Sequence, residues 1–455
     1  MAQKPSIPRG TRDFSPAEML RRNHIFDIIR RNFSLWGYLP IETPAMETLS
    51  TLLGKYGEEG DRLIFRILNS GNFLSGISPE TLSSADTSAV SQHISEKGLR
   101  YDLTVPFARF VVQHRDEITF PFRRYQIQPV WRADKPQKGR YREFFQCDVD
   151  IIGSNSLLNE AELIQIIDHI FSELNINVTV KVNNRKILAG IAGMAGAGEQ
   201  LTDITVSIDK LEKIGREGVR QELMQRGIAP EAIDRLEPVL GLSGSSEEKL
   251  HELRGIMASS ETGLKGTEEM EELLRYLALD QIKAAVELDL SLARGLNYYT
   301  GTIIEVKAAD VPFGSICGGG RYDDLTGIFG LPGVSGVGVS FGADRIYDVM
   351  LQLDLFPEQT GSSTQVLIVN FGREELPSLI KIAGTLREAG IATELYPEPV
   401  KLKKQFAYAD AQKIQLVVIA GSNELTAGQV TVKNMKTGEQ TAVSLSALPS
   451  FIRKD

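Results

Sequence analysis

Cysteine is scarce in this sequence, and its scarcity excludes two kinds of architecture. The 455 residues include only Cys147 and Cys317, which lie far apart and form no Cys-x-x-Cys pair. The chain therefore encodes neither a disulfide framework nor a zinc knuckle, and we expect both thiols to be buried. No metal-ligand spacing occurs among the five histidines, which are His24, His93, His114, His169 and His251. We expect no metal site built from a side-chain cluster.

Long hydrophobic runs are missing as well. No segment approaches the ~18 consecutive apolar residues that a membrane-spanning helix needs, and the start, MAQKPSIPRGTRDF, lacks a signal-peptide core. We therefore expect a cytoplasmic protein. The formal net charge of −9 argues against unspecific coating of nucleic acid, so any RNA contact must be local.

The segment 122–153 predicts two strands joined by a basic turn. The strands span 123–134 and 141–153, with KPQKGR between them. Because side chains alternate across a strand, the polar ones share a face and the apolar ones share the other. The polar face carries Gln126, Gln128, Arg132, Gln146, Asp148 and Asp150. Charges inside a sheet are costly unless they meet a ligand or each other.

The turn of this hairpin is locally positive. Lys135, Lys138, Arg140 and Arg142 accumulate there in a chain that is acidic overall. Such a loop indicates a phosphate or nucleic-acid contact. A solvated tip with structural ion pairs fits the pattern equally well.

Other segments add candidate site residues. Ser15-Pro16-Ala17-Glu18 predicts the start of a helix that runs to about Leu35 and buries Met19 among other residues. Residues 68–95, rich in Ser, Thr, Gly and Asn, indicate a poorly packed loop or hairpin. Asp102 and Thr104 stand two apart, so a single strand would point both into one site.

Glycine-rich segments lie further along the chain. The run Gly318-Gly-Gly allows a backbone to approach a ligand closely. Residues 336–345 predict a small-residue strand that leads straight into a helix and places Arg345 near the helix N-terminus, where an anion is favoured. Tight packing of strand on helix is the alternative explanation.

The length predicts about two or three domains, and 42% hydrophobic with 24% charged residues is typical of soluble globular proteins. Residues 202–288 are charged and helical, which indicates a separate module. From 365 onward, strands and helices alternate as an α/β domain that ends on a strand at 429–433. This domain lacks a Walker motif and a strand-linked G-x-G-x-x-G, so we do not expect it to bind ATP.

Together these segments resemble the histidyl-tRNA synthetases, a class II aminoacyl-tRNA synthetase family, over essentially the whole chain. Residues 37–44 with Glu47 are similar to motif 1, residues 122–153 to motif 2 and residues 336–345 to motif 3. The specific likeness lies in Arg294-Gly-Leu-Asn-Tyr-Tyr299 and Gly318-Gly-Gly-Arg-Tyr322, which resemble the two histidine-specific signatures.

The resemblance implies an α/β (α+β) fold with an antiparallel-sheet catalytic domain, a helical insertion and a C-terminal α/β anticodon-binding domain. The implied division is 1–200 and 285–356 for the catalytic domain, 201–284 for the insertion and 364–455 for the anticodon-binding domain. Motif 1 implies a homodimer.

The resemblance also implies roles for single residues. L-Histidine would be held by Asp102, Thr104, Arg132, Gln146, Asp150, Arg294, Tyr298 and Tyr299. Arg132 and Arg294 would act on the α-phosphate of ATP, while Arg140 and Arg345 would hold its β/γ end with Mg²⁺. The implied reaction forms histidyl-adenylate and pyrophosphate and then transfers histidine to the 3′ end of tRNA(His). No side chain stands out as the base of the transfer step, which leaves the adenylate phosphate as the candidate.

The sequence departs from the family pattern at two positions. Asn297 stands where Asp is usual, and Arg132-Ala-Asp134 replaces the common Arg-x-Glu. These departures put any role of a charge at 297 in doubt, but they remove no catalytic arginine. Two rivals remain: a non-catalytic paralogue acting as regulatory subunit of ATP phosphoribosyltransferase, and a class IIa synthetase for another amino acid. Arg294 and the extra C-terminal domain disfavour the first, and the paired tyrosines disfavour the second.

Overall fold

A computed structural model of the chain describes residues 4–83, 87–137, 139–293, 298–357 and 364–453. The described residues form two compact units. One comprises residues from 1–13 and 25–355, and the other comprises residues from 14–24 and 356–455. The four-part domain division expected above stays a prediction.

Helix α1 spans Pro16–Leu35, as predicted. At its N-terminus the Ser15 amide and hydroxyl donate hydrogen bonds to the Glu18 carboxylate at 2.7 and 2.6 Å. This contact gives a partner to a backbone N–H group that the helix itself cannot satisfy. Its buried side chains include Ile25, Phe26, Ile29 and Phe33. The prediction for Met19 was wrong, because its side chain is 38% exposed.

The larger unit continues with short elements and then the predicted hairpin. The strands up to residue 152 are β1 (Leu39–Pro40), β2 (Met46–Thr48), β3 (Arg66–Ile67), β4 (Lys97–Leu99), β5 (Phe122–Trp131) and β6 (Glu143–Ile152). The helices between them are α2 (Leu49–Leu52), α3 (Gly57–Arg62), α4 (Pro79–Ser83), α5 (Thr87–Ile94) and α6 (Thr104–Gln113). Residues 68–95 are therefore not simply a loop, since α4 and α5 lie there.

The remainder of this unit alternates helical and strand segments. The helices are α7 (Leu158–Glu173), α8 (Arg185–Met194), α9 (Leu201–Ile208), α10 (Leu211–Gln225), α11 (Pro230–Leu240), α12 (Ser246–Ile256), α13 (Glu261–Leu277) and α14 (Ala343–Gln352). The strands are β7 (Val178–Asn184), β8 (Ala285–Leu288), β9 (Thr302–Ala308), β10 (Cys317–Tyr322) and β11 (Gly336–Gly342). Helices α9 to α13 fall within the segment that was predicted to be helical.

A mostly antiparallel sheet organises this unit. Its strand order is β1-β5-β6-β11-β10-β9-β7-β8, and the outer pairs β1/β5 and β7/β8 are parallel. Strand β1 lies at one edge of this sheet. The predicted β5/β6 hairpin is confirmed, although its strands end at Trp131 and begin at Glu143, so the connection is wider than the predicted six-residue turn.

The register of β5 and β6 confirms the predicted division into two faces. Arg124 lies opposite Asp150, and Gln126 lies opposite Asp148. Tyr125 lies opposite Val149 on the other face. The polar face is therefore a row of cross-strand polar pairs inside the sheet.

The Arg321–Glu160 ion pair joins β10 to α7. The Nε and Nη2 groups of Arg321 each donate to Glu160 at 2.6 Å, and both residues are buried. The arginine of the second histidine-like signature thus holds the sheet against a helix instead of lining the cleft described below.

We expect Glu160→Gln to lower the free energy of unfolding by about 3 kcal/mol, because the buried Arg321 charge loses its counter-ion. Urea unfolding followed by circular dichroism measures this loss. The matched control is Asp234→Asn, since Asp234 is 63% exposed in its pair with Arg220 and such pairs contribute less than about 1 kcal/mol. Equal losses in the two variants would contradict the assignment.

The smaller unit contains a five-stranded sheet with the order β13-β12-β14-β15-β16. The strands are β12 (Val366–Ile368), β13 (Thr393–Leu395), β14 (Leu416–Ile419), β15 (Gln429–Asn434) and β16 (Gln440–Ser444). The helices are α15 (Leu376–Glu388), α16 (Leu402–Ala411), α17 (Ser422–Thr426) and α18 (Leu448–Ile452). The alternation was predicted correctly, but β15 is not the final strand, because β16 pairs with it. Val366 and Leu367 belong to separate hydrophobic cores, as alternation along a buried strand requires.

None of the described helices has the length and apolar character needed to cross a membrane.

Candidate active site

A cleft of about 420 Å³ in the larger unit brings together most of the predicted site residues. Its walls come from the β5/β6 connection, the start of α6, β10 and the β11–α14 junction. The predicted residues that line it are Asp102, Thr104, Arg132, Arg140, Gln146, Tyr298, Tyr299 and Arg345. Segments distant in sequence therefore converge on one site.

Asp102 forms the acidic end of the cleft. It is 1% exposed, and its Oδ1 accepts hydrogen bonds from the Tyr56 hydroxyl at 2.9 Å and from the Val105 amide at 3.1 Å. Its Oδ2 accepts from the Tyr298 hydroxyl at 3.2 Å. Burial raises the pKa of Asp102, while these donors and the Arg132 charge act in the opposite direction. The result is a buried carboxylate with a firmly fixed position.

The predicted strand through Asp102 and Thr104 was wrong. Strand β4 ends at Leu99, and Thr104 is the first residue of α6. Asp102 instead turns back to accept from the Val105 amide, as residues before a helix do. Both side chains line the cleft, but a helix start places them there.

Three guanidinium groups also line the cleft, those of Arg132, Arg140 and Arg345. Arg140 pairs with Asp134 at 2.8 Å, and Arg132 donates its Nε–H to the Tyr101 carbonyl at 3.0 Å. The pKa of Arg345 is lowered by burial first and then by the nearby charges of Arg132 and Arg140. Three cations this close together repel each other, and a polyanion bound between them would relieve the repulsion.

Arg345 sits where the sequence predicted. It is in the first turn of α14, directly after β11, and it lines the cleft with Gly342. Its Nε donates to the Gly139 carbonyl at 3.0 Å and its Nη1 donates to the Ser315 carbonyl at 2.5 Å. These bonds tie α14 to the tip of the hairpin and fix the direction of the guanidinium.

Asp150 does not line the main cleft. It lines an adjoining recess of about 20 Å³, which shares Thr104, Tyr299, Gly318 and Ser340 with the cleft. Its Oδ1 accepts from the Tyr322 hydroxyl at 2.6 Å, and its Oδ2 lies 2.8 Å from Arg124. Asp150, one of the predicted histidine-binding residues, therefore lies in a recess next to the main cleft.

Sequence reasoning gave no role to Arg124 or Tyr322, although both fix Asp150. Arg124 is fully buried, and it precedes Gln126 and Gln128 on the same face of β5. Continuing that alternation by one more step would have found it. Tyr322 stands in a recognised signature, but the signature alone does not reveal its partner.

The glycine run serves packing more than ligand approach. A Cβ on Gly319 would lie 2.0 Å from the Gly338 carbonyl oxygen, and a Cβ on Gly320 would lie 3.2 Å from the Tyr299 ring. Of the three, Gly318 alone lines the main cleft. A side chain at Gly319 or Gly320 would push β11 or Tyr299 out of place.

Arg294 and Asn297 lie outside the described residues, as does Lys138. The chain is described again from Tyr298, whose ring meets that of Tyr299 edge-on, with centroids 5.1 Å apart. Across the described ranges, His, Cys, Asp and Glu side chains form no group of three or more suited to a metal ion.

Comparisons with known proteins show the family of the chain. A family model described as histidyl-tRNA synthetase matches residues 89–346, and one described as anticodon binding domain matches residues 365–455. The histidine–tRNA ligase of Phocaeicola vulgatus is 58% identical over 453 residues, which is 100% of both chains. That of Porphyromonas gingivalis is 59% identical over 445 residues, or 98% of each chain.

Solved structures match as well. The crystal structure of histidyl-tRNA synthetase from Nostoc has a TM-score of 0.83 at 31% identity and covers 100% of both chains. A structure from Bacillus halodurans, described as an ATP phosphoribosyltransferase regulatory subunit/histidyl-tRNA synthetase, has a TM-score of 0.71 at 22% identity, covers 91% of this chain and 99% of that chain, and supports the fold alone. Because the family model matches more than half of the chain and relatives match its full length, the chain belongs to the histidyl-tRNA synthetase family.

Proposed function

We propose that this chain is a histidine–tRNA ligase. It activates L-histidine with ATP to give histidyl-adenylate and pyrophosphate, and then esterifies the 3′ end of tRNA(His). The observation that carries the proposal is one cleft lined by three guanidinium groups, a buried carboxylate and two tyrosines. Such a cleft can align an amino acid with the α-phosphate of a nucleotide.

The acidic end takes the amino acid. Asp102 accepts the α-ammonium group, since it is a buried carboxylate held in place by three donors. Thr104 and Gln146 provide polar contacts beside it. Tyr298 and Tyr299 enclose the imidazole ring, and Asp150 accepts one of its N–H groups from the recess. A site whose acceptor would be left unpaired rejects amino acids that lack this N–H.

The cationic end takes ATP. The histidine carboxylate attacks the α-phosphorus, a new P–O bond forms, and the bond to pyrophosphate breaks. Negative charge grows on the phosphoryl oxygens, so catalysis depends on alignment and on cations fixed in advance. Arg132 and Arg294 act at the α-phosphate, whereas Arg140 and Arg345 hold the β- and γ-phosphates through bidentate contacts.

Mg²⁺ fits this end as an ion that arrives with ATP. Protein sites for Mg²⁺ typically supply one or two carboxylates and leave the other positions to water and phosphate. Asp134 is the buried carboxylate in the cleft beside Arg140, so it would contact the ion. When bound, the ion would offset charge on the β- and γ-phosphates.

In the second step the terminal ribose hydroxyl of tRNA attacks the mixed anhydride and releases AMP. The adenylate phosphate accepts the proton of that hydroxyl. The C-terminal unit, which the anticodon-binding family model matches, contacts the tRNA anticodon. The compartment is the cytoplasm, where tRNA is charged and where the buried thiols Cys147 and Cys317 stay reduced.

The decisive experiment is ATP–pyrophosphate exchange by the full chain with each amino acid in turn. Exchange that depends on L-histidine supports the proposal. Exchange with another amino acid would favour the second rival, and no exchange with any amino acid would favour the regulatory subunit. Aminoacylation of tRNA(His) then tests the transfer step.

We further propose a homodimer built on the edge of the large sheet. Leu39 on the edge strand β1 is 60% exposed, and Leu35, at the end of α1 just before that strand, is 76% exposed. Exposed large apolar side chains grouped in one region mark an interaction surface. We expect light scattering to give twice the chain mass, whereas a monomer mass at every concentration would contradict the dimer.

A further inference from the structure

The recess at the inner end of the cleft contains a carboxylate that the proposed mechanism leaves unused. Asp148 lies on β6 between Gln126 and Ser340 of the neighbouring strands, and it lines the recess together with Asp150. Asp148 is 2% exposed, and its Oδ1 has no hydrogen-bond partner within the described part of the chain. A buried carboxylate oxygen without a donor is costly, so its position calls for a ligand.

Within the described ranges, the unmet groups near Asp148, whose carboxylate also has a hydrogen bond with the Ser340 side chain, are three acceptors and the Nε and Nη2 donors of Arg124. Gln146 donates to the Ser340 hydroxyl at 2.8 Å, which leaves its own Oε1 buried and unpaired among the described residues. The Oδ2 of Asp150 meets Arg124 at ion-pair distance, but the two atoms are not aligned as a hydrogen bond. A ligand that presents two donors here would satisfy two of the three acceptors, and those that line the recess belong to Asp148 and Asp150.

The charges around the recess do not balance. The titratable and charged groups that face Asp148 from the described elements packed against it are Arg100, Asp102, Arg124, Asp150, Tyr299 and Cys317. Burial raises the pKa of Tyr299 and of Cys317, so both stay neutral near pH 7. Two guanidiniums therefore face three carboxylates, an excess of one negative charge.

Asp148 is the source of that excess among the groups that face it. Arg124 lies 2.8 Å from Asp150, while Asp102 has the Arg132 charge beside it and would also meet the α-ammonium group of the ligand. Burial raises the pKa of Asp148 to about 7, so its charge is costly in the unliganded protein. A positively charged group of the ligand next to Asp148 would remove this cost.

We propose that Asp148 is a further specificity-determining residue that, with Asp150, holds the histidine side chain as the doubly protonated imidazolium. The inference rests on the proposed function. A neutral imidazole presents one donor and one acceptor nitrogen, whereas an imidazolium presents two donors and a positive charge. The acceptors and the excess negative charge of the recess match the second form.

The proposal predicts whether the binding of histidine takes up or releases protons at a given pH. At pH 8 free Asp148 is mostly ionised, and free imidazole, with a pKa of ~6.5, is mostly neutral. Binding at pH 8 therefore takes up about one proton, and affinity falls by up to about tenfold per pH unit above that pH. Below pH 6 both free groups are protonated, so binding releases a proton instead.

Calorimetric titration of the full chain with L-histidine at pH 8, in two buffers of different ionisation enthalpy, measures the uptake. We expect about one proton for the native protein and close to none for Asp148→Asn, in which Arg124 balances Asp150 and a neutral ring suffices. The α-ammonium group of histidine contributes equally to both. Titration with ATP is the control and should not distinguish the two proteins. Equal uptake of protons in both proteins would overturn the proposal.

A second measurement uses the native protein alone and does not depend on the folding of a variant. Triazolylalanine has nearly the shape of histidine, but its ring is far less basic. We expect it to bind at least about 100-fold more weakly than histidine at pH 7, with no proton uptake. Equal affinity would overturn the role of Asp148 while histidine-dependent exchange still supports the proposed function. If histidine itself fails to bind, both proposals fall.

Discussion

Replacing Arg132 with alanine is expected to lower the kcat of histidine-dependent ATP–pyrophosphate exchange by about 100- to 1,000-fold. Arg132 lines the cleft between Asp102 and the pair Arg140 and Arg345, where the α-phosphate would lie. Its Nε is fixed on the Tyr101 carbonyl, and its guanidinium lies 4.2 Å from the centroid of the Tyr101 ring. A cation held in this way needs no reorganisation as charge develops, so its loss raises the barrier directly.

Two variants separate this role from a general loss of fold. Arg132→Lys keeps the charge but loses the planar fork, so we expect an intermediate loss of about tenfold to 100-fold. Arg115→Ala removes an arginine that is 58% exposed and outside the cleft, and it should leave exchange unchanged. Thermal unfolding should be similar in all three proteins. Near-normal kcat in Arg132→Ala would show that the residue does not act at the α-phosphate.

The polar row of the β5/β6 hairpin could be predicted because it depends on local alternation alone. Once 122–153 is taken as a hairpin, Gln146, Asp148 and Asp150 must share a face, whatever surrounds them. The same holds for Arg345, because a strand that runs directly into a helix puts its next residues in the first helical turn. The strand face or helical turn that such a residue occupies follows from its immediate neighbours in the sequence.

Asp102 and Arg124 show which contacts the local sequence pattern cannot predict. Asp102 was placed on a strand because a spacing of two suits a strand, yet the start of α6 gives the same convergence through a capping contact. Alternation places Arg124 on the polar face of β5, but the burial of its guanidinium depends on Asp150 across the hairpin, which the local pattern does not supply. The partner Tyr322, which fixes Asp150, lies on β10, much further along the chain. Pairings of this kind are set by tertiary packing.

The pairing of Asp102 with the α-ammonium group leads to the second large effect. We expect Asp102→Asn to raise the KM for histidine by about 100-fold, because a buried charge-assisted contact becomes a neutral one. Asparagine keeps the shape of the side chain and an oxygen that can accept from the Val105 amide. The start of α6 should therefore persist, and steady-state exchange kinetics isolates the loss of charge.

The KM for ATP provides the internal control for this prediction. Arg140 and Arg345 lie at the other end of the cleft, so the KM for ATP should change less than about twofold when only the ammonium contact is lost. Tyr56→Phe is the matched variant: it removes one donor to Asp102 and keeps the carboxylate charge, so the KM for histidine should rise by less than about tenfold. If Asp102→Asn raised both KM values equally, Asp102 would be supporting the cleft as a whole. The substitution removes the charge and also the oxygen that accepts from the Tyr298 hydroxyl. A rise in the KM for histidine that is selective and clearly larger than that of Tyr56→Phe therefore supports the contact of this carboxylate with the ammonium group.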